Sequence, residues 1–401
     1  MFSSAPAFRL GLVGCLALAA CALGPKRGVP PHRLASQQAR DVFAPVFTKH
    51  VSRPAPFELR PQEWGGIAVD EERKIVYAGG DLGVLWALDG MRGEELWRIA
   101  VDGAFVGRPL LLEEGKRMLF VTGDGVVTLM DLEARRALWK YEMPGLVPTS
   151  PVVAEGLVFL ATTRNEVIAL AYDSGEWHWE YKRDLPTDFS VKGRAGLAYE
   201  APQHASGEAG LIYSAFDDGQ IAALRADSGD VVWVASVAPT SEDGVPDADS
   251  TPIVDRDAAQ LVVAGISTGV IGLDLGTGAE KWRTPIDGVT NVVSAPGLGY
   301  IAVSALQGIF GLGLAGEIRW QERVDPGVLS EPVLIDDRFL TSHTEGGLMA
   351  FDVQSGELLA RFDLGTGITS QPILARRDHR VYVTTNRGAL VSLALADRME
   401  P

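Results

Sequence analysis

Along most of the chain, short apolar and β-prone stretches alternate with turn residues, and the alternation repeats. A pair of turn residues flanked by such stretches occurs at Leu82-Gly83, Asp124-Gly125, Arg164-Asn165, Asp218-Gly219, Thr268-Gly269, Gln307-Gly308, Gly346-Gly347 and Arg387-Gly388. The second members of these pairs are separated by 42, 40, 54, 50, 39, 39 and 41 positions. A fixed period near forty, with two insertions, is the signature of a repeat architecture.

A second marker follows each turn, as Ala87-Leu88-Asp89, then Gly93, then Trp97. Later copies keep the frame: Leu129-Met130-Asp131 with Trp139, Ala169-Leu170-Ala171 with Gly175 and Trp179, Ala223-Leu224-Arg225 with Gly229 and Trp233, and Gly272-Leu273-Asp274 with Gly278 and Trp282. The sixth, Gly311-Leu312-Gly313 with Gly316 and Trp320, is one residue shorter; the seventh, Ala350-Phe351-Asp352 with Gly356, has Ala360 where Trp is expected; the eighth stops at Ser392-Leu393-Ala394.

Asp accepts local backbone hydrogen bonds and Gly supplies positive φ, so the Asp-to-Gly step predicts the turn of a second hairpin. Forty residues hold four strands of five or six residues with their turns. One such sheet cannot bury both faces alone, and stacking the sheets radially leaves only short, protected edges. The predicted fold is therefore all-β, an eight-bladed β-propeller of four-stranded blades. The six tryptophans are expected to wedge between neighbouring blades, each burying roughly 150–250 Å². Pro109, Pro151, Pro202, Pro252, Pro332 and Pro372 each precede an apolar run, which proline permits at a strand start or on an edge such as the innermost strand. The eighth repeat has no room for its fourth strand. Residues 44–52, with Val46-Phe47-Thr48-Lys49-His50-Val51, are expected to supply it, so that an N-terminal strand closes the ring.

Composition supports a globular, turn-rich chain: 46% apolar against 22% charged residues, with 45 Gly and 23 Pro among 401 residues. Thirty-six basic against fifty-two acidic residues give a net charge of −16. With no basic cluster, nucleic acid and anionic lipid surfaces are not expected partners. The two cysteines, Cys15 and Cys21, lie in the first 21 residues, which excludes a disulfide framework from the folded part. Phe8-Arg9 leads into the apolar run 10–20, too short to span a bilayer and shaped like the core of an export signal. The run ends in Leu18-Ala19-Ala20-Cys21, which resembles the lipobox of bacterial lipoproteins, where the cysteine sulfur is acylated. Residues 22–41, with Pro25, Pro30 and Pro31, read as a tether. The expected plan is a signal peptide over 1–20, a lipidated Cys21 and tether over 21–41, the propeller over 42–397 and a tail over 398–401.

With the lipobox, the Ala-Leu-Asp…Gly…Trp repeats and the mature length together, residues 42–397 resemble the BamB family of β-barrel assembly lipoproteins, within the wider group of quinoprotein-like propellers. The two insertions carry the finer likeness. Leu185-Pro186-Thr187-Asp188-Phe189-Ser190-Val191-Lys192-Gly193-Arg194-Ala195 is similar to the BamB loop that has Pro, then Leu-Ser-Leu-Arg-Gly, and contacts the POTRA domains of BamA. The matched positions are Phe189, Val191 and Lys192. Phe and Val stand for two leucines and Lys for the arginine; a lysine offers a point charge in place of a planar fork. Asp247-Ala248-Asp249-Ser250-Thr251-Pro252 is similar to the family's Asp-Val-Asp-Thr-Thr-Pro, which carries Asp247 and Asp249 into the same contact surface. Alternate residues of an extended strand face one side, so the two carboxylates are expected to act together on a partner or on Lys192.

The resemblance implies a non-catalytic scaffold without cofactor. It implies BamA and the BAM complex as partners, outer-membrane lipid through acylated Cys21, and unfolded outer-membrane proteins as clients. It places the chain on the periplasmic face of the outer membrane; Ala22 stands where the enteric inner-membrane retention signal has Asp. The alternatives are a pyrroloquinoline quinone-dependent dehydrogenase, a class that shares the repeats, and a generic protein- or glycan-binding propeller of the envelope. Two catalytic motifs appear by spelling alone. Gly311-Leu312-Gly313-Leu314-Ala315-Gly316 matches a dinucleotide fingerprint and Gly265-Ile266-Ser267-Thr268-Gly269 a nucleophile elbow, but each falls on a repeat hairpin with no helix to follow. The six histidines are dispersed with no pair at metal-ligand spacing. The aspartates between Asp243 and Asp255 lack the regular spacing of a calcium loop.

Overall fold

The computed structural model describes residues 42–52, 66–80, 83–183, 195–202, 208–239, 247–248 and 250–396. Eight four-stranded antiparallel sheets follow one another along the chain, over 67–100, 105–142, 152–182, 197–236, 253–284, 289–322 and 333–362, with the eighth made of 373–395 and the first strand. In blades 1 to 7 the chain runs from the innermost to the outermost strand. In blade 8 the outermost strand is Phe43–His50, paired antiparallel with Ala389–Leu395 from Phe43↔Leu395 to His50↔Ala389. The ring is closed by the N-terminal strand, as the truncated eighth repeat predicts.

Local chemistry explains each hairpin. The second residue of every expected turn pair has positive φ, including Asn165 at 58°, where the side-chain amide makes the left-handed region tolerable. In the following hairpin the Asp89 carboxylate accepts from the Met91 and Arg92 N–H groups at 2.9 and 2.8 Å, and Gly93 turns the chain at φ 73°. The same carboxylate cap recurs at Asp274 and Asp352. Glycine and serine motifs singled out above sit on these turns: 265–269 joins Gln260–Gly265 to Gly269–Asp274, and 311–316 joins Gly308–Leu312 to Ile318–Glu322.

The core is divided among the blade interfaces. Eight clusters of buried apolar side chains each span one pair of neighbouring blades, such as Phe159, Trp179, Ile212 and Leu224 between blades 3 and 4. The tryptophans bridge the same interfaces. Trp139, Trp179, Trp233 and Trp320 donate their indole N–H to the next blade, to the carbonyls of Tyr172, Ala226, Leu275 and Val353 at 2.8–3.1 Å. Each ring also covers the turn glycine of that blade, Gly175, Gly229, Gly278 and Gly356. Trp282 covers Gly316 but donates back to Gln260 Oε1 at 2.9 Å. In the second blade, Arg135 stands where the glycine is expected, at φ 54°, and stacks its guanidinium 5.2 Å from the Trp97 ring.

Of the prolines, Pro151, Pro252, Pro332 and Pro372 directly precede an innermost strand, and Pro109 sits inside Phe105–Leu112 where the pairing register shifts. Pro202 differs: the innermost strand of blade 4, Leu197–Glu200, lies before it. A residue without an N–H can end a strand as readily as begin one, so the apolar run after Pro202 belongs to the second strand, Leu211–Ala215.

Candidate functional site

Every connection from an outermost strand to the next innermost strand lies at the same end of the ring as the turns between second and third strands, because antiparallel strands alternate in direction. Each insertion includes a connection of this kind. One runs from Trp177–Lys182 to Leu197–Glu200, the other from Val231–Ser236 to Ile253–Asp255. These two connections therefore leave and re-enter the ring on one face, on either side of blade 4, whereas 201–210, the rest of the first insertion, joins Leu197–Glu200 to Leu211–Ala215 at the opposite end.

The described ends of the two insertions touch. The Gly196 N–H donates to Thr251 Oγ1 at 3.1 Å, and the glycine lies so close to that threonine that a Cβ would collide with it. Ser250 fastens the second insertion to its own blade: its N–H donates to the Ala264 carbonyl at 3.0 Å and its hydroxyl accepts from the Ala264 N–H at 2.8 Å.

Asp247 lies in the same stretch and is 6% exposed. Its carboxylate accepts from the backbone N–H of Ile266 and from that of Ser267 at 3.0 Å, and its carbonyl accepts from Thr268 Oγ1 at 2.8 Å. Burial raises its pKa above the ordinary carboxylate value, and these hydrogen bonds oppose the rise. Asp247 thus ties the insertion to the turn of blade 5, and its two oxygens are turned inward. Phe189, Val191, Lys192 and Asp249, and the lipidation residue Cys21, lie outside the described residues.

The insertions border the mouth of a central channel of about 880 Å³. Its lining is rich in hydroxyl and amide groups, among them Thr149, Thr251, Asn291, Ser330, Thr369 and Gln371. Arg108 and Glu331 are the only charged side chains lining it among the described residues. Both reach water in the lumen, yet the surrounding ring of protein holds the Arg108 guanidinium below its ordinary value and pushes the Glu331 carboxyl up. The Glu331 rise is opposed by a hydrogen bond from Gln371 and by the charge of Arg108. No aromatic ring and no histidine lines the channel among the described residues. Nor do the described residues gather three or more metal-ligating side chains.

The channel residues carry a sequence signal that the repeat frame alone does not weigh. Arg108, Ser150, Thr251, Glu331 and Gln371 each stand immediately before an inner-strand proline, and all five line the lumen. Proline holds its predecessor extended, so that predecessor occupies the same place in each blade.

A family model described as outer membrane protein assembly factor BamB matches residues 48–149 and 114–322. Among relatives of that name, the protein of Shewanella oneidensis is 24% identical over 338 residues, covering 80% of this chain and 82% of its own. That of Burkholderia pseudomallei is 25% identical over 345 residues, covering 82% and 83%. The crystal structure of BamB from Moraxella catarrhalis superposes with a TM-score of 0.71 at 19% identity, over 88% of this chain and 100% of that one. The Saccharomyces cerevisiae protein Sqt1 matches at a TM-score of 0.69 and 10% identity, over 88% and 98%. Likenesses at such identities speak for the propeller fold and not for what it binds.

Proposed function

This chain belongs to the family of the outer membrane protein assembly factor BamB, and we propose that it is a non-catalytic scaffold of the β-barrel assembly machinery that docks on the POTRA domains of BamA. The partner surface is the ring face that carries the two long blade-to-blade connections, with Phe189 and Val191 as apolar anchors and Lys192 and Asp249 setting orientation. Asp247 acts as a positioning residue there, fastening the second insertion to the turn of blade 5. An interface of this kind draws most of its affinity from a few buried anchors and its specificity from charges. Acylated Cys21 holds the chain on the periplasmic face of the outer membrane, at the length of a proline-containing tether.

The observation that supports this reading is the hydrogen bond between Gly196 and Thr251. The two long blade-to-blade connections are 55 residues apart at this contact, yet they share one root on one face. Extra chain in a repeat ring goes to the loops of a binding face.

The test is affinity purification of the full chain from its own outer membrane, beside a Phe189→Ala/Asp249→Ala variant. Recovery of BamA with the native chain and its loss from a variant that still melts cooperatively at the native temperature is the expected result. Equal recovery by both would remove these residues from the contact; no BamA with either would leave the propeller as a binding module for another envelope protein.

A further inference from the structure

The mouth of the central channel on the face of the two long connections is a polar collar. Inner strands enter the channel from that face, so the residues that precede their prolines, Arg108, Ser150, Thr251, Glu331 and Gln371, ring its opening. Two residues further along three of these strands, on the same side of an extended chain, Leu110, Val152 and Ile373 line the lumen beneath them. The pocket therefore has a hydrogen-bonding rim over an apolar floor. Small-molecule sites combine the same two elements, and the volume of about 880 Å³ falls within their usual range of about 300–1,000 Å³.

Arg108 stands at the entry to blade 2 and Glu331 at the entry to blade 7, with blades 8 and 1 between them on the shorter way round the ring. Both are anchored through the backbone. The Ser150 hydroxyl accepts from the Arg108 N–H at 3.2 Å and donates to its carbonyl at 3.1 Å. Beside Glu331, the Ser330 hydroxyl accepts from the Ser342 N–H at 2.9 Å and the Ser330 carbonyl accepts from Thr341 Oγ1 at 2.8 Å. Among the described residues no hydrogen bond uses the Arg108 guanidinium and no ion pair joins it to Glu331, although the two attract across the lumen. Each is partly stripped of water, which shifts both toward their neutral forms. Opposite charges that lose water without closing on each other cost solvation and return little to folding, so stability is a poor reason for the pair.

We propose that the collar binds a short peptide with both termini free, its carboxylate held by Arg108, its ammonium by Glu331 and an apolar side chain resting on Leu110, Val152 and Ile373. An anion alone would meet Glu331 and a cation alone would meet Arg108, so the pair selects a ligand that carries both signs. Peptide groups match the rim as well: Thr149, Asn291 and Gln371 line the channel and can each donate and accept, as an N–H and a C=O require. A sugar satisfies such a rim but neither charge. Peptide hydrolysis is the class of reaction that supplies this ligand, since the addition of one water to one peptide bond frees one carboxylate and one ammonium. Binding in the collar does not depend on docking to BamA, although the pocket opens on the same face.

The probe is alanyl-leucyl-alanine, titrated calorimetrically into the full chain in mild detergent beside its N-acetyl form, its C-amide form and trehalose. Expected is saturable binding of the free tripeptide, weakened about tenfold or more by either cap, the cost of one charge-assisted contact, with no saturable binding of trehalose. This comparison uses the native chain alone and needs no variant to fold. Arg108→Gln should weaken the free tripeptide by a similar factor and become indifferent to the amide, whereas Glu331→Gln should become indifferent to the acetyl group, as a double-mutant cycle between ligand and protein requires. No saturable binding of the free tripeptide, or equal binding of its capped forms, overturns the proposal. So does a glutamine variant that melts with the native chain and still discriminates both caps. Saturable binding of trehalose in place of the tripeptide would assign the collar to a glycan and overturn it as well.

Discussion

The ring of Phe47, on the first strand, lies against Gly93 on the first blade, so close that a Cβ at the glycine would collide with the ring. Five tryptophans make the same contact with a turn glycine of the following blade. Phe47 therefore does at the seam what an indole does elsewhere, and the contact is reinforced by Tyr382, whose hydroxyl donates to the Gly90 carbonyl at 2.8 Å, and by Trp86, whose indole N–H donates to the Val51 carbonyl at 3.1 Å.

Removing that ring should loosen the seam. Phe47→Ala is expected to lower unfolding free energy by about 2–4 kcal/mol in a denaturant titration, below the range for fully buried aromatic side chains because Phe47 is half-buried. Phe47→Trp should cost less than about 1.5 kcal/mol, because the site is built like those that hold tryptophan.

Ala360 occupies the tryptophan place of blade 7 and shares its core cluster with Phe43, whose ring meets Phe362 edge-on at 6.2 Å. A cavity of about 50 Å³, bounded by Val42, Leu340 and Leu395, opens at the same interface and is too small for an indole. Restoring the repeat with Ala360→Trp should thus destabilise by about 1–3 kcal/mol through overpacking. Combining it with Phe43→Ala should give less than the summed losses in a double-mutant cycle; strict additivity would show that the two side chains do not compete.

Arg135 combines a left-handed backbone with a guanidinium stacked on Trp97. Arg135→Gly relieves the backbone and loses the stacking, each worth about 1 kcal/mol, so its melting temperature should stay close to native. Arg135→Ala keeps the strain and loses the stacking, and should melt lowest of the three.

Asp247 predicts a pH dependence. Its folded-state pKa is raised by burial, so as pH falls the native fold takes up a proton before the unfolded chain does. The part of its contribution that comes from this shift is fully present below the ordinary carboxylate value and is lost as pH rises through the folded value. The stability difference between the native chain and Asp247→Ala should accordingly widen from pH 7 to pH 4. The variant should be less stable at both, by about 1–3 kcal/mol, since it removes the carboxylate that accepts from the Ile266 and Ser267 N–H groups. A difference that narrows on acidification would mean that the carboxylate is held in its charged form.

The candidate site was legible unevenly. The two insertions are plain in the spacing of turn pairs, 54 and 50 against about forty elsewhere, but the spacing does not show that the first is divided between 183–196 and 201–210, and strand parity puts only the blade-to-blade parts on a common face. The role of Asp247 was not legible. Alternation along an extended segment groups it with Asp249, but alternation holds only while the segment stays extended, and the backbone donors of Ile266 and Ser267, 19 and 20 residues on, draw its carboxylate inward.

By itself the sequence determined the number of blades, their four-strand hairpins, the tryptophan interfaces and the strand that closes the ring, because each is set by interactions within about forty residues or by a missing piece of the period. Only the tertiary structure decided which side chains meet across the ring: Phe47 with Gly93, Arg135 with Trp97, Gly196 with Thr251, and Arg108 with Glu331 in one lumen. The reason is physical. A repeat fixes local geometry copy by copy, whereas a contact between copies depends on the small rotation from each blade to the next and on the departures from the period, which no single copy contains.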